Sequence, residues 1–141
     1  MKEKPSIERR SGCPISIALE ILGDRWSLLI VRDMMFKGLK SYNDFLNAGE
    51  GIATNILSDR LQKLEWAGII SKLSDPNDAR RFIYCLTARG INLAPMLVEM
   101  ILWSARNEQT DAPPKVIKAM TTDRDGFVAK LREKWQATKE L

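Results

Sequence analysis

Three short polar side chains, Thr54, Asn55 and Ser58, share a stretch with Leu57, Leu61 and Leu64, which recur at helical spacing. With the leucines turned to a core, those three and Asp59 form the exposed face near the start of a helix. A carboxamide such as that of Asn55 donates and accepts at once, which matches the neighbouring acceptor and donor on the major-groove edge of adenine. The hydroxyls of Thr54 and Ser58 can bond phosphate or base edges, and their small size lets a helix enter a groove that bulk would keep it out of. Free N–H groups at a helix start also attract phosphate. Arg60 and Lys63 stand at the flanks, where a cation meets a phosphate backbone. Asp59 repels phosphate unless paired, so it either accepts from a cytosine amino group or holds Arg60 or another nearby cation. By itself the same pattern also describes the solvated face of a small helical domain.

A second group of cations lies just downstream. Ile69 to Ser74 and Arg81 to Leu86 read as strands, the latter alternating Phe82, Tyr84 and Leu86, with Asp75-Pro76-Asn77-Asp78 as the turn. Lys72 on the first strand and Arg80-Arg81 at the tip project from a narrow element, the geometry needed to reach a minor groove or adjacent phosphates. Asp75 and Asp78 dilute that charge and can pair with the arginines. Upstream, Ser41 is a good N-cap for a short helix, Tyr42 to Asn47, that buries Phe45 and Leu46. Ser41 and Tyr42 join the candidate DNA-contacting set at that helix start. Ala48-Gly49-Glu50-Gly51 then supplies the turn into the longer helix, Ala53 to Ala67, which Gly68 closes. A helix pair followed by a charged hairpin is a winged helix, and that order points to duplex DNA.

The remaining elements frame this centre. Residues 1–12 read as a flexible basic arm. Pro14 opens a helix with Ile17, Ala18, Ile21 and Leu22 at helical spacing, ended by Gly23. Trp26 to Phe36 reads as a second helix with Trp26, Leu29, Ile30 and Met34 on one side, stopped by Lys37-Gly38. Thr87 is expected to cap a long helix reaching Asn107, bent at Pro95. It has one apolar stripe through Ile91, Ala94, Val98, Ile101 and Ala105 and a second through Leu93, Met96, Met100 and Trp103. Two stripes imply a second partner. Pro113-Pro114 breaks the chain, a short helical turn carries Val116, Ile117 and Met120, and Thr122 with Asp125 approximates a capping box for a last helix.

Composition limits the alternatives. The chain is 141 residues long with 45% hydrophobic residues, one domain's worth with room for an appendage. Its net charge of +4 is compatible with nucleic acid but is shared by many proteins that bind none. There is no histidine, which removes the usual general base and the commonest metal ligand together. Cys13 and Cys85 cannot alone make a zinc site. No Gly-rich phosphate loop, paired-carboxylate motif or nucleophile elbow occurs. We therefore expect no enzymatic activity, no metal and no cofactor. No apolar run approaches the ~18 residues of a membrane span and the N-terminus has no apolar signal region, so the expected location is the cytoplasm, with no membrane partner.

In order along the chain, Cys13-Pro14-Ile15, Leu22-Gly23-Asp24-Arg25-Trp26-Ser27-Leu28-Leu29-Ile30, Arg32-Asp33, Gly38, Phe45, GIATNILSDRLQKLEWAGII (51–70), YCLTARG (84–90) and LAPMLVEMILWSAR (93–106) resemble the HxlR-type family of bacterial winged-helix transcriptional regulators. The tail APPKVIKAMTTDRDGF is similar to longer members. The resemblance implies a mainly α fold with a small β-hairpin, a MarR-like winged helix-turn-helix with extra N- and C-terminal dimerisation helices. On that basis residues 13–109 form the winged-helix domain and 110–141 a C-terminal helical extension. It also implies a homodimer binding double-stranded DNA at a pseudo-palindromic operator, read here as a repressor. The wing departs from the family's usual Pro-containing form ending in Glu-Tyr. Its charged DPNDARRFIY resembles MarR-type wings, so a MarR-type ligand-responsive regulator is the first alternative and a winged-helix protein-interaction module the second.

Cys13 precedes the first helix beside Arg9 and Arg10, a setting that favours thiol reactivity. Some members of the resembling family sense oxidants or electrophiles with a cysteine at this place, while in others it only packs against the dimer partner. Cys85 reads as a packing residue. Trp26, Met34, Met96, Met100 and Trp103 suit either an adaptable dimer core or a cavity lining, and the sequence names no small-molecule effector.

Overall fold

The computed structural model describes residues 3–6 and 8–139. Pro14 opens α1 (Pro14–Leu22) at a position whose N–H no helix satisfies, and Gly23 follows as C-cap. Asp24 then starts α2 (Ser27–Met35), its Oδ1 accepting the N–H groups of Trp26 at 2.8 Å and Ser27 at 3.0 Å. The second helix thus begins one residue later than the apolar pattern predicts, because this carboxylate, not Trp26, fixes its first turn. α2 buries Ile30, Val31, Met34 and Met35.

Ser41 caps α3 (Tyr42–Leu46) in a reciprocal capping box with Asp44, and Phe45 is the buried residue of this helix. Gly49 at φ +98° and Gly51 at φ +73° turn the chain toward the next helix through backbone conformations that strain any side chain. α4 (Thr54–Trp66) buries Leu57, Leu61 and Leu64, the stripe expected from spacing. Fully burying a leucine contributes about 1.5–3 kcal/mol, so this stripe is the main reason α4 holds its place.

β1 (Ile70–Asp75) and β2 (Asp78–Leu86) form an antiparallel hairpin. The second strand starts three residues earlier than the sequence suggests, and the turn is Pro76-Asn77 alone. Local hydrogen bonds explain the tighter turn: Asp75 Oδ1 accepts from the Asn77 N–H at 2.9 Å, and Asp78 Oδ1 from the Arg80 N–H at 3.0 Å. Tyr84 and Leu86 are buried at the hairpin base, while Phe82 is exposed. A bridge between Ser41 and Ile83, with the Tyr84 N–H donating to the Lys40 carbonyl at 2.8 Å, adds a third extended segment beside β2. A single bridge is too short to leave a periodic trace in sequence.

The chain divides into two compact units, one ending at Thr87 and the other beginning at Ala88. The first holds the elements above. Thr87 Oγ1 donates to the carbonyls of Gly68 and Ile69, which ties the end of the hairpin to its beginning. In the second unit, the single long helix expected from Thr87 to Asn107 is two: α5 (Ala88–Ile91) and α6 (Ala94–Asn107). Pro95 lies in the first turn of α6, where its missing donor costs nothing, so it starts a helix instead of bending one. α6 packs on α7 (Pro114–Thr122) and α8 (Arg124–Lys139), burying Ala94, Leu97, Val98, Leu102, Met120 and Val128. Asp123, not Thr122, caps α8: its Oδ1 accepts the Gly126 N–H at 3.0 Å. Arg132 Nη1 donates to Asn92 at 2.8 Å, and Arg124 pairs with Glu99. Among the described residues no helix is long and apolar enough to cross a membrane.

Candidate nucleic-acid interface

The exposed start of α4 is positioned from two sides. Tyr42 Oη donates to the carbonyl of Thr54 at 3.1 Å, joining α3 to the first residue of α4. Glu50, in the intervening turn, accepts from Arg32 Nη1 at 2.9 Å and lies 3.5 Å from Arg25, so the turn is held to α2 and the residues before it. The Arg32 guanidinium keeps the Glu50 carboxyl below its ordinary range. Arg32 is itself oriented by Asp33, with bonds of 2.9 and 2.8 Å to one carboxylate oxygen. Helix, turn and helix therefore form a small frame stiffened by charge-assisted hydrogen bonds.

On this frame Thr54, Asn55 and Ser58 are exposed at the start of α4, while Leu57, Leu61 and Leu64 are buried. Ala53 occupies the N-cap position of α4 without a side-chain acceptor, which leaves first-turn N–H groups open to an outside anion. Ser41 and Tyr42, half-buried, have structural partners: the Ser41 hydroxyl accepts the Asp44 N–H at 3.1 Å and Tyr42 holds Thr54.

The flanking charges are organised unequally. Arg60 Nε donates to Asp24 Oδ1 at 2.9 Å, and its Nη1 pairs with Asp59. Lys63 Nζ lies 3.2 Å from Asp59 Oδ2, the same carboxylate oxygen that Arg60 Nη1 contacts. Asp59 thus holds its neighbouring cations, one of the two roles its sequence position allowed. Burial alone would raise the Asp24 carboxyl. The Ser27 hydroxyl at 2.5 Å, the Trp26 and Ser27 N–H groups and Arg60 overcome it and bring the group down to about 2. Sequence reading missed Asp24 as a positioning residue, although the Gly-Asp-Arg-Trp motif contains it. Its partner lies 36 residues away on another helix, beyond the reach of any local pattern.

The wing carries freer cations. Its register slips between Ser74 and Asp75, with Ser74 opposite Phe82 and Asp75 opposite Asp78. Residues 79–81 therefore fall in an irregularity of β2, a bulge of the kind that re-aims side chains. Arg80 is 92% exposed and 3.4 Å from Asp78, Arg81 is exposed, and Lys72 Nζ sits 4.1 Å from the Phe82 ring centroid. Both cysteines are free: Cys13 is the exposed N-cap of α1, and Cys85 is half-buried on β2. Among the described residues no cluster of Cys, Asp and Glu could hold a metal ion.

Comparison with known proteins agrees with this geometry. The pattern of the HxlR-like helix-turn-helix family matches residues 21–122. The HTH-type transcriptional regulator sll1512 of Synechocystis is 38% identical over 68% of this chain and 70% of its own length. The crystal structure of PA1607 superposes with a TM-score of 0.67 at 32% identity, covering 74% of this chain and 72% of that one. The redox regulator HypR in its oxidised form superposes with a TM-score of 0.61 at 26% identity, covering 70% of this chain and all of HypR.

Proposed function

The chain belongs to the HxlR-like helix-turn-helix family of transcriptional regulators, and on that premise we propose that it acts as a cytoplasmic, homodimeric repressor reading a pseudo-palindromic operator. α4 enters the major groove with Asn55 on a base edge and Thr54 and Ser58 on base edges or phosphate. Ser41, Tyr42 and Lys63 lie along the flanking backbone, and Lys72, Arg80 and Arg81 of the wing meet the adjacent groove or its phosphates. The observation that carries this reading is the small, polar, exposed start of α4, held to α3 by Tyr42 and to the α2 region by Glu50. The exposed Met96, Met100 and Trp103 on α6 support a second copy as the partner of that face, which would set two recognition helices about 34 Å apart.

Selection of duplexes from a random 30-base-pair library, followed by footprinting, tests this. A two-fold symmetric consensus protected in a salt-sensitive manner is expected. No binding to any duplex at low ionic strength would favour a protein-interaction module on the same scaffold. A second reading rests on the exposed Cys13 at the start of α1, with HypR described as a redox regulator: thiol oxidation releases the operator. Diamide treatment should then weaken operator binding by the natural chain and leave a Cys13→Ser variant unaffected. Equal responses of the two proteins would remove Cys13 from regulation.

A further inference from the structure

Arg60 is the first cation in sequence after the exposed polar residues that open α4, yet its guanidinium bonds to the protein's own carboxylates. Its side chain is only 23% exposed, against 60% for Lys63 and 92% for Arg80. Two acids divide its donors. Asp59 takes one from the same helix, and Asp24 takes Nε from the region where α2 begins. Asp24 is a fixed point, since its two oxygens also receive the Trp26 N–H, the Ser27 N–H and the Ser27 hydroxyl. A carboxylate with that many donors cannot follow a moving arginine, so the arginine must stay with it. Packing of α2 on α4 and the link from Asp24 to Arg60 therefore fix both the position and the rotation of α4.

We infer that Asp24 is a specificity-determining positioning residue: through Arg60 it sets the angle at which α4 offers Asn55, and it withholds the Arg60 charge from phosphate. The inference rests on the DNA-binding reading above and deepens it. A free arginine beside the groove would bind any duplex through its backbone, because phosphate contacts carry affinity without sequence information. Tying that arginine down lowers binding to random sequence while it sharpens the placement of the base-reading side chains. The carboxylate stays charged far below neutral pH, so the restraint is permanent under working conditions.

The test compares fluorescence anisotropy on a duplex selected by the natural chain with that on a random-sequence duplex of equal length, across a salt series. Asparagine keeps a side-chain oxygen that can accept the Trp26 and Ser27 N–H groups, so Asp24→Asn keeps the start of α2 while removing the ion pair. The ratio of selected to random affinity should fall about tenfold, the scale of one degraded base contact, and the random-duplex salt slope should steepen by about one as Arg60 reaches a phosphate. Arg60→Gln should lose a similar share of the ratio with its random-duplex slope unchanged. The double variant should match Arg60→Gln, because no cation remains to be released. A slope that flattens by about one in Arg60→Gln would make Arg60 a phosphate contact and overturn the inference. Additive losses in the double variant would overturn it as well. If Asp24→Asn loses its cooperative thermal melt, Arg60→Gln and Arg60→Lys decide the matter, the lysine being expected to regain part of the ratio. A natural chain that binds no duplex would overturn the DNA-binding reading itself; sequence selection that survives Asp24→Asn intact would overturn only this inference.

Discussion

α4 and α6 are built alike on the inside and differently on the outside. Each buries one stripe: Leu57, Leu61 and Leu64 in α4, and Ala94, Leu97, Val98 and Leu102 in α6. At its start, α4 exposes Thr54, Asn55 and Ser58, small groups that hydrogen-bond. α6 exposes Met96, Met100 and Trp103, large flexible or aromatic groups that gain by leaving water. Inner faces report what holds a helix in its unit, and outer faces report what the helix is for. A polar outer face with closely positioned donors suits a hydrated, charged ligand, and an apolar one suits another protein surface. The contrast can be broken experimentally at three of the four faces.

The largest effect belongs to the inner face of α4. Leu57→Ala removes a side chain with no exposure and should cost about 3 kcal/mol of stability by urea denaturation. A loss below about 1 kcal/mol would mean that α4 is not held by its leucines. Next is the outer face of α6. Met100→Lys with Trp103→Lys should leave stability within about 0.5 kcal/mol while halving the mass seen by sedimentation. Binding to the selected duplex should fall roughly a hundredfold, because a lone protomer engages one half-site. An unchanged mass would show that this face is not what joins two copies.

The outer face of α4 comes third, and there the kind of loss matters more than its size. Asn55→Ala should cost about 1–3 kcal/mol on the selected duplex, with little change on random sequence, and should relax preference at one base pair. Arg81→Ala should weaken both duplexes alike and reduce the salt slope by about one. Equal losses on the two duplexes for both variants would erase the division between a helix that reads and a wing that grips.

Features carried by spacing were legible before any coordinates. The leucine stripe of α4, the Ser41 cap and the apolar outer face of α6 all repeat or sit at positions that local geometry dictates. Features carried by a competition between local patterns were not. Apolar residues keep helical spacing straight through Asn92-Leu93, so α5 and α6 read as one helix, and Pro95 looked like a bend where it is a start. The wing turn closed over two residues, not four, because the side chains of Asp75 and Asp78 bond back to nearby N–H groups. At the site, residue types suggested which side chains could touch DNA. They could not reveal that Arg60 is committed to Asp24, since no periodicity spans two helices.

The Asp24 carboxylate, held by Ser27, Trp26 and Arg60, also yields the smallest effect, a loss of stability in acid. The Asp24 carboxyl is lowered to about 2 in the folded chain, from about 3.9 when unfolded. A depressed carboxylate stabilises the fold at every pH above its unfolded value and loses that contribution as pH falls toward its folded one. The window is therefore pH 4 down to pH 2. Full linkage across that shift would be about 2.6 kcal/mol, and solvent access to the carboxylate reduces it to about 1 kcal/mol. Asp44, Glu50 and Asp59 are lowered too, so the natural chain destabilises in acid for several reasons at once. Comparison with Asp24→Asn cancels the shared ones. The natural chain should be the more stable at pH 5 by urea denaturation, and the gap should shrink by about 1 kcal/mol at pH 2. A gap that stays constant across that range would mean that the Asp24 carboxylate, bonded to Ser27, Trp26 and Arg60, does not stabilise the fold through its charge, and the inner leucine stripe would then be sufficient to position the outer face.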